Sequence, residues 1–296
     1  MTLMDSFKNL FSLLRPWQWY KNIIIFVPAI FSTLALNRHL LLLTFIGFIS
    51  LSLASSGNYV INDILDKEAD KKHPEKRNRP LASGAIGVPF ALVVALVLFA
   101  LSFVIAWTLA PLFLALVILF VLLTHAYSIW FKHFVFIDVL LISVNFVLRV
   151  IGGILLLDHS ATPTPWIIIC PFFLALFLAV GKRKSDIALL GKKAAQHKRV
   201  LAHYTPELTN NLLTISTTLL IISYTLYAFL SEHRYYLMVS MPFALYLVFY
   251  YFSLLDSHPE ITRHPERALK DPHVIIGTLL WGIATLAAIY LPILLK

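Results

Sequence analysis

Long apolar runs, separated by short polar stretches, recur along almost the whole chain. They cover residues 22–36, 40–61, 86–109, 111–130, 134–157, 165–181, 211–230, 235–255 and 273–294. Most of these runs approach the roughly 20 residues that a helix needs to cross a bilayer. The pattern therefore predicts an all-α integral membrane protein of about nine transmembrane helices, folded as one domain over residues 1–296.

The first 20 residues show a different, amphipathic pattern. Apolar residues recur there at helical spacing, with Lys8 and Arg15 between them, and Pro16 follows with two tryptophans. Such a pattern is typical of a helix that lies in the membrane interface. Residues 1–20 are therefore predicted to form an interfacial helix that ends near Pro16.

Composition and charge exclude several classes of protein. The chain is 59% hydrophobic and only 13% charged, whereas soluble domains keep roughly a quarter of their residues charged. A net charge of +9 could indicate nucleic-acid binding, but the position of the basic residues explains it better. One set of loops holds nearly all of them, and the opposite set holds only Arg38, Arg234 and Lys296. Basic loops of membrane proteins face the cytoplasm, so the topology accounts for the charge. The expected partner is therefore the lipid bilayer, and no nucleic-acid partner is expected.

The two longest loops, residues 62–85 and 182–210, both lie on the basic side. The first contains Asp63, Asp66 and Asp70 at positions i, i+3 and i+7, which project from one face of a helix. Three like charges on one face repel each other, unless a divalent cation neutralises them. Oxygen ligands suit Mg²⁺, which commonly binds a few carboxylates together with substrate phosphates. The alternative is a solvated helix end whose acids pair with nearby lysines.

A cation inside the fifth predicted helix is a second chemical signal. Arg149 lies deep in the apolar run, where a cation costs at least ~2.5 kcal/mol. Asp138 shares its helix face, but eleven residues correspond to about 16 Å of helix, too far for a direct pair. Arg149 therefore either faces a polar cavity or pairs with another helix.

The acidic pattern carries a family resemblance. Asn62-Asp63-x-x-Asp66-x-x-x-Asp70, followed by Lys76-Arg77-x-Arg79-Pro80-Leu81-x-Ser83-Gly84, resembles the UbiA superfamily of intramembrane prenyltransferases. The resemblance implies a bundle of about nine helices with an active-site cavity at the cytoplasmic side. It also implies that this motif binds Mg²⁺ and the diphosphate of the donor.

One branch of the family fits better than the others. Members that prenylate aromatic rings usually carry a second Asp-x-x-x-Asp motif after helix six, but here Gly181-Lys182-Arg183-Lys184-Ser185-Asp186 stands in that place. Other stretches resemble the decaprenyl-phosphate phosphoribosyltransferase branch. They are Arg15-Pro16-x-x-Trp19-x-Lys21-Asn22, Tyr127-Ser128, Lys132, Ile137-Asp138-Val139 and Arg149-x-x-Gly152-Gly153.

The resemblance implies a reaction and a set of residues. The reaction is Mg²⁺-dependent transfer of 5-phosphoribose from phosphoribosyl pyrophosphate to a polyprenyl phosphate, with release of pyrophosphate, at the cytoplasmic face of the inner (plasma) membrane. Asp63, Asp66 and Asp70 are expected to hold the metal, and Asp138 to stabilise positive charge on the sugar. The expected substrate-binding residues are Lys21, Asn58, Asn62, Arg79, Tyr127, Lys132, Arg149, Lys182, Arg183 and Asp186.

Two other functions stay open. The nearer one is prenyl transfer from a prenyl diphosphate to an aromatic acceptor, for which the cationic second loop and Arg149 supply more positive charge than is needed. The more remote one is a transporter or lipid flippase with Arg149 and Asp138 as a relay. Polar residues would then be spread across the membrane depth, whereas here they concentrate at the cytoplasmic end. Oligomeric state and polyprenyl chain length do not follow from the sequence.

Overall fold

The computed structural model describes residues 3–72, 76–157, 164–191, 194, 198–231 and 234–295. All regular elements in these ranges are helices, which confirms the all-α fold class. The α-helices, numbered in chain order, are α1 Leu3–Leu14, α2 Val27–Phe31, α3 Arg38–Leu65, α4 Lys67–Lys71, α5 Val88–Leu109, α6 Pro111–Ile129, α7 Ile137–Leu155, α8 Trp166–Leu190, α9 Pro206–Leu230, α10 Arg234–Leu237, α11 Met241–Ser257, α12 Pro259–Thr262, α13 Pro265–Ala268 and α14 Pro272–Leu294. Short 3₁₀ helices cover Pro16–Phe26, Leu34–Leu36, Lys76–Asn78, Phe131–His133, Arg199–His203 and Met238–Ser240.

In the described part of the chain, eight helical segments are long and apolar enough to cross a membrane. They are α3, α5, α6, α7, α8, α9, the segment Tyr235–Ser257 and α14. Large apolar side chains point outward from them; Val104, Trp107 and Leu112 are each more than 60% exposed. A soluble protein buries such residues, so these surfaces suit contact with lipid.

The eight spans found in the described residues agree to within one with the predicted count of about nine. The apolar run at residues 22–36 is divided among the 3₁₀ helix Pro16–Phe26, the five-residue α2 and the 3₁₀ helix Leu34–Leu36. Pro28 stands in the first turn of α2, where it has no N–H with which to continue a preceding helix. This segment therefore lacks one α-helix of spanning length.

Two predicted loops also begin differently in the structure. The helix that carries Asp63 ends at Leu65, and Asp66 (φ −89°, ψ 1°) joins it to the short α4. Asp63, Asp66 and Asp70 therefore do not stand on one uninterrupted helix: Asp63 lies in α3, Asp66 follows its end and Asp70 lies in α4. The loop predicted from residue 182 starts later, because α8 continues to Leu190 and ends at Gly191, whose φ of 48° favours glycine.

The chain divides into two compact units. The N-terminal unit comprises Met1–Ile129 and Leu148–Thr162, and the C-terminal unit comprises Trp130–Val147 and Pro163–Lys296. Helix α7 contributes its first part to the C-terminal unit and its last part to the N-terminal unit. The expectation of one domain over residues 1–296 stays a prediction, as does the interfacial position of α1.

Each unit has its own apolar core. Leu51, Phe113 and Phe120 belong to the core of the N-terminal unit. A Cβ atom at Gly153 would overlap the carbonyl oxygen of Ile25, so glycine permits the end of α7 to pack directly on the Pro16–Phe26 helix. In the C-terminal unit, α8, α9 and α11 share a second core. Its buried members include Phe177, Val180, Leu213, Tyr251 and Leu255.

Candidate active site

Two buried carboxylates come together at the end of α3 in the N-terminal unit. Arg79 donates from Nη1 to Asp63 Oδ1 at 3.0 Å and to Asp70 Oδ2 at 2.6 Å. The Nζ atom of Lys76 lies 3.8 Å from Asp70 Oδ1. Asp63 and Asp70, called the carboxylate pair below, are both almost fully buried. The structure thus brings three predicted site residues together, because both carboxylates bind the cation Arg79.

Arg15 also binds the carboxylate pair, and sequence reasoning missed this contact. Its Nη2 atom lies 2.6 Å from Asp63 Oδ1 and 2.8 Å from Asp63 Oδ2. Its guanidinium carbon lies 5.2 Å from the centre of the Tyr59 ring. In the sequence, Arg15 stood out only as the first residue of a stretch that resembles the family and as a cation before Pro16, which fits an interfacial anchor equally well.

The turn after α4 fixes the position of Arg79. The amide of Ser83 donates to the Arg79 carbonyl at 2.9 Å, and the amide of Ile86 donates to the Pro80 carbonyl at 3.0 Å. Gly84 has a φ of 79°, a conformation that glycine adopts without strain. Leu81 is buried and anchors the turn in the apolar core. The Lys-Arg-x-Arg-Pro-Leu stretch therefore places Arg79 against the carboxylate pair.

The remaining predicted residues of this motif lie beside the pair. Asn62 donates from Nδ2 to Asp66 Oδ2 at 3.2 Å, and Asp66 is partly exposed. Asn58, one turn earlier on α3, is buried, and neither its Nδ2 nor its Oδ1 has a hydrogen-bond partner among the described atoms. An unsatisfied buried amide is costly, so Asn58 is suited to bind a polar group that is not part of the chain.

The donor atoms of the carboxylate pair fit Mg²⁺. Mg²⁺ prefers oxygen ligands and is usually held by one or two carboxylates together with substrate phosphates. Among the described residues, no group of three or more Asp, Glu, His or Cys side chains stands in metal-binding geometry, and the assignment of Asp63, Asp66 and Asp70 as metal ligands stays a prediction. Burial, and then the charge of Arg79, lower the pKa of the Lys76 ammonium beside them.

Arg149 pairs with another segment of the N-terminal unit. It donates from Nε to Asn22 Oδ1 at 2.7 Å, and its guanidinium lies 4.7 Å from the centre of the Phe120 ring. Asn22 in turn donates to the Oγ atoms of Ser52 and Ser55 on α3, at 3.1 and 3.3 Å. These contacts therefore support the interpretation that Arg149 pairs with another helix.

A second polar cluster occupies the C-terminal unit and is centred on Asp138. Its Oδ2 accepts from Arg183 Nε at 2.8 Å and from Lys198 Nζ at 3.2 Å, and its Oδ1 accepts from the Tyr204 hydroxyl at 2.6 Å. These four residues are called the Asp138 cluster below. Of these contacts, sequence reasoning singled out only Asp138 and Arg183; nothing in the local pattern marked Lys198 or Tyr204.

Asp186 extends this cluster toward the helices that follow α11. Its carboxylate lies 3.5 Å from Arg183 Nη1 and accepts from Arg263 Nε at 2.9 Å. The hydroxyls of Ser185 and Thr262 are 2.7 Å apart in the same region. The Asp186 carboxylate therefore forms ion pairs with two arginines, Arg183 and Arg263.

Tyr204 holds a strained residue next to Asp138. Phe136 has a φ of 67°, and its amide donates to the Tyr204 hydroxyl at 3.1 Å. A positive φ is unusual for a bulky residue. Burial and the hydrogen bond to Asp138 raise the pKa of Tyr204. Burial, and then the charge of Arg183, lower the pKa of Lys198 to about 8.

Four further predicted site residues lie outside the contacts described above. Lys21 has its ammonium 5.7 Å from the Tyr20 ring. Tyr127 near the end of α6, Lys132 in the Phe131–His133 helix and Lys182 on α8 are all partly exposed. Their roles in binding a substrate stay predictions.

Comparison with known proteins identifies what the chain is similar to. The model of the UbiA prenyltransferase family matches residues 23–266. A decaprenyl-phosphate phosphoribosyltransferase from Mycolicibacterium smegmatis is 30% identical over 299 residues, which cover 95% of this chain and 92% of the relative. The corresponding protein from Corynebacterium glutamicum is 30% identical over 288 residues, with 94% and 86% covered.

A solved structure has the same fold. A UbiA homolog from Archaeoglobus fulgidus, bound to GPP and Mg²⁺, superposes with a TM-score of 0.72 and covers 95% of this chain and 99% of its own. The two sequences are 21% identical, so this similarity concerns the fold alone.

Proposed function

Because the chain belongs to the UbiA prenyltransferase family and is a multi-pass membrane transferase, we propose that it moves 5-phosphoribose from phosphoribosyl pyrophosphate to a polyprenyl phosphate. Pyrophosphate is the leaving group. The proposal takes its substrates from relatives named decaprenyl-phosphate phosphoribosyltransferase, which match more than nine-tenths of the chain. The reaction takes place at the cytoplasmic face of the plasma membrane, toward which the basic loops are expected to point.

The carboxylate pair and the cations around it are the observation that carries this proposal. Asp63 and Asp70 would hold Mg²⁺, with Asp66, the predicted third ligand, and Asn62 at the edge of the pair. The chemistry that Mg²⁺ supplies at such a site is neutralisation of charge on the diphosphate leaving group. Arg79 and Lys76 are already within reach of the same carboxylates, and they bind the remaining phosphate charge.

The acceptor needs no general base, because a phosphate monoester is already ionised at neutral pH. In the N-terminal unit, Arg149 with Asn22 and the unsatisfied amide of Asn58 bind the lipid phosphate. Catalysis is then a matter of positioning and electrostatic stabilisation. In the C-terminal unit, Lys182 and Arg183 bind phosphate charge, and Asp138 stabilises positive charge that develops on the sugar.

Prenyl transfer to an aromatic acceptor is the second candidate. It is favoured by the fold neighbours bound to GPP and Mg²⁺ and to DMAPP and Mg²⁺. Both reactions use a diphosphate leaving group, so the carboxylate pair serves either one. They differ in the group that is transferred from the donor, phosphoribose or prenyl, and in the charge of the acceptor.

One assay separates the two functions. Purified full-length protein in liposomes is incubated with Mg²⁺ and either ribose-labelled phosphoribosyl pyrophosphate plus polyprenyl phosphate, or labelled geranyl diphosphate plus 4-hydroxybenzoate. We expect label to enter the organic phase as a lipid-linked sugar phosphate in the first mixture, and EDTA to prevent it. Prenylated aromatic product in the second mixture, with no transfer in the first, would replace the proposed function by its alternative.

A further inference from the structure

Arg15 occupies the carboxylate pair in a way that a membrane anchor would not require. Its Nη2 atom lies between the two oxygens of Asp63, at 2.6 and 2.8 Å. Another cation that approaches Asp63 therefore has to share these oxygens or displace the guanidinium. The side chain is only 16% exposed, so it is directed into the unit and not toward a lipid surface.

The backbone of Arg15 is held in an unusual conformation. Its φ and ψ are 51° and 54°, a left-handed geometry that is unfavourable for residues with a Cβ. Such a residue persists only where its neighbours fix it, and strained residues cluster at functional sites.

The neighbours of Arg15 do fix it. Leu13 is fully buried. The carbonyl of Leu14 accepts from Ser56 Oγ at 2.7 Å, and the indole of Trp19 donates to the same Oγ at 3.0 Å. The end of α1 is thus attached to α3 on both sides of Arg15. Its guanidinium is aimed at Asp63 by a rigid support.

The local charges indicate what the guanidinium is suited to bind. Three cations, Arg15, Lys76 and Arg79, contact only two carboxylates, so the group already carries one excess positive charge. A divalent cation on the carboxylate pair raises this excess to three. Arginine binds phosphate through paired N–H groups of fixed geometry, and a diphosphate supplies the matching negative charge.

We propose that Arg15 is a further diphosphate-binding residue, which neutralises Asp63 while the site is empty and turns to the donor diphosphate when Mg²⁺ takes over that carboxylate. This inference rests on the diphosphate-binding part of the proposed function. It does not depend on whether phosphoribose or a prenyl group is transferred, because both donors carry the same leaving group.

The test measures two affinities that should change in opposite directions. Binding of Mg²⁺ alone, and of inorganic pyrophosphate in the presence of Mg²⁺, is measured by calorimetry on the full chain in nanodiscs, for wild type, Arg15→Gln and Arg15→Lys. In Arg15→Gln we expect tighter binding of Mg²⁺ alone, because its competitor is gone. Pyrophosphate should bind about tenfold more weakly, the loss of one charge-assisted contact. Arg15→Lys should restore part of the pyrophosphate affinity.

The control is Lys8→Gln, which removes an exposed cation from α1, the helix that precedes Arg15. This variant should change neither affinity. Unchanged pyrophosphate affinity in Arg15→Gln would overturn the inference. So would a parallel loss of both affinities with a lower melting temperature, since that is the mark of a purely structural contact. If the wild type itself fails to bind pyrophosphate with Mg²⁺, the proposed function fails together with the inference. If it binds pyrophosphate but transfers no phosphoribose, only the choice of reaction fails.

Discussion

The two polar clusters both surround buried carboxylates with cations, but they differ in how accessible those cations are. Around the carboxylate pair, the side chains of Arg15, Arg79 and Lys76 are 16%, 25% and 37% exposed. In the Asp138 cluster, Asp138 is 0% and Arg183 only 5% exposed. Lys198, at 21%, overlaps the range of the first group, so the difference lies between Arg79 and Lys76 on one side and Arg183 on the other.

This difference separates a group that can exchange partners from one that holds a structure together. Partly exposed cations can turn from a carboxylate to an incoming anion at little desolvation cost. A fully buried pair has already lost its hydration, and removing one partner leaves an uncompensated charge. The carboxylate pair is thus suited to exchange its cations for a ligand, whereas the Asp138 cluster is suited to keep its charges in fixed positions, from which they can act on the proposed substrate.

The largest effect is expected from Asp70→Asn. Loss of a metal-binding carboxylate should reduce phosphoribosyl transfer by at least about a hundredfold, the scale of removing one electrostatic contact in an active site. Initial rates in liposomes measure the loss, and the melting temperature shows whether the protein is still folded. Glu68→Gln is the matched control, since Glu68 is an exposed acid on the same short helix.

Asp66→Asn, assayed alongside, tests Asp66 as a third ligand. Near-normal transfer in this variant would limit the metal site to the carboxylate pair.

Asp138→Asn should lower the stability of the folded protein. Removal of this charge deprives the buried Arg183 and the partly exposed Lys198 of a shared partner, at a cost of roughly 3–5 kcal/mol in the free energy of unfolding. Denaturant unfolding in detergent measures the change. Asp256→Asn is the control, because Asp256 is 69% exposed in its ion pair with Lys184 and such pairs contribute about 0–1 kcal/mol. If both variants are equally stable, the Asp138 cluster is held no more firmly than an exposed ion pair, and the contrast between the two regions is wrong.

Arg149→Ala tests whether a buried cation in the N-terminal unit also binds substrate. We expect the KM for polyprenyl phosphate to rise about tenfold or more, as for loss of a charge-assisted hydrogen bond. The KM for phosphoribosyl pyrophosphate should change little. Arg149→Lys keeps the charge and should be intermediate. An equal rise for both substrates would instead assign Arg149 and Asn22 to the support of the fold.

The smallest expected effect is a pH dependence from Lys198. Its pKa of about 8 means that its charge is lost as pH rises through that value, so binding of a phosphate-bearing donor should weaken a few-fold between about pH 7 and 9. Lys198→Arg, which stays charged, should flatten this part of the KM profile. Steady-state kinetics across this range provide the measurement, and an unchanged profile in the variant would assign the alkaline loss to another group.

The Lys198 ammonium should also make the free energy of unfolding depend on pH. Its folded pKa lies below the unfolded value of 10.5, so between these values the unfolded chain binds more protons. The free energy of unfolding should therefore rise with pH from about 8 to about 10.5. Lys198→Arg should lose that rise.

Much of the architecture was predictable because it follows from local patterns. Apolar runs of spanning length predicted the all-α membrane fold, and the Asn62–Asp70 and Arg79–Pro80 motifs predicted the family correctly. The predicted count of about nine spans exceeds by one the eight found in the described residues, because hydropathy does not register that residues 16–36 form 3₁₀ helices and a five-residue α-helix. The enclosed cavity and the cytoplasmic orientation stay predictions.

The site was predictable only in part. Asp63, Asp70 and Arg79 lie within one short stretch of sequence, so their proximity could be inferred. Arg15 approaches Asp63 from 48 positions away, and Tyr204 approaches Asp138 from 66. Neither contact can be inferred from neighbouring residues, because an arginine before a proline and a tyrosine in a loop are both common in many proteins.

By itself, the sequence determined which segments leave water and which acids stand at the end of α3, since hydrophobicity and helical spacing are properties of neighbouring residues. Only the tertiary structure decided that α3 ends before Asp66, that Arg15 and Arg79 neutralise Asp63, and that Asp138 is buried among cations from other segments. The reason is electrostatic: a buried charge must find a partner, and which partner can reach it depends on how distant helices pack.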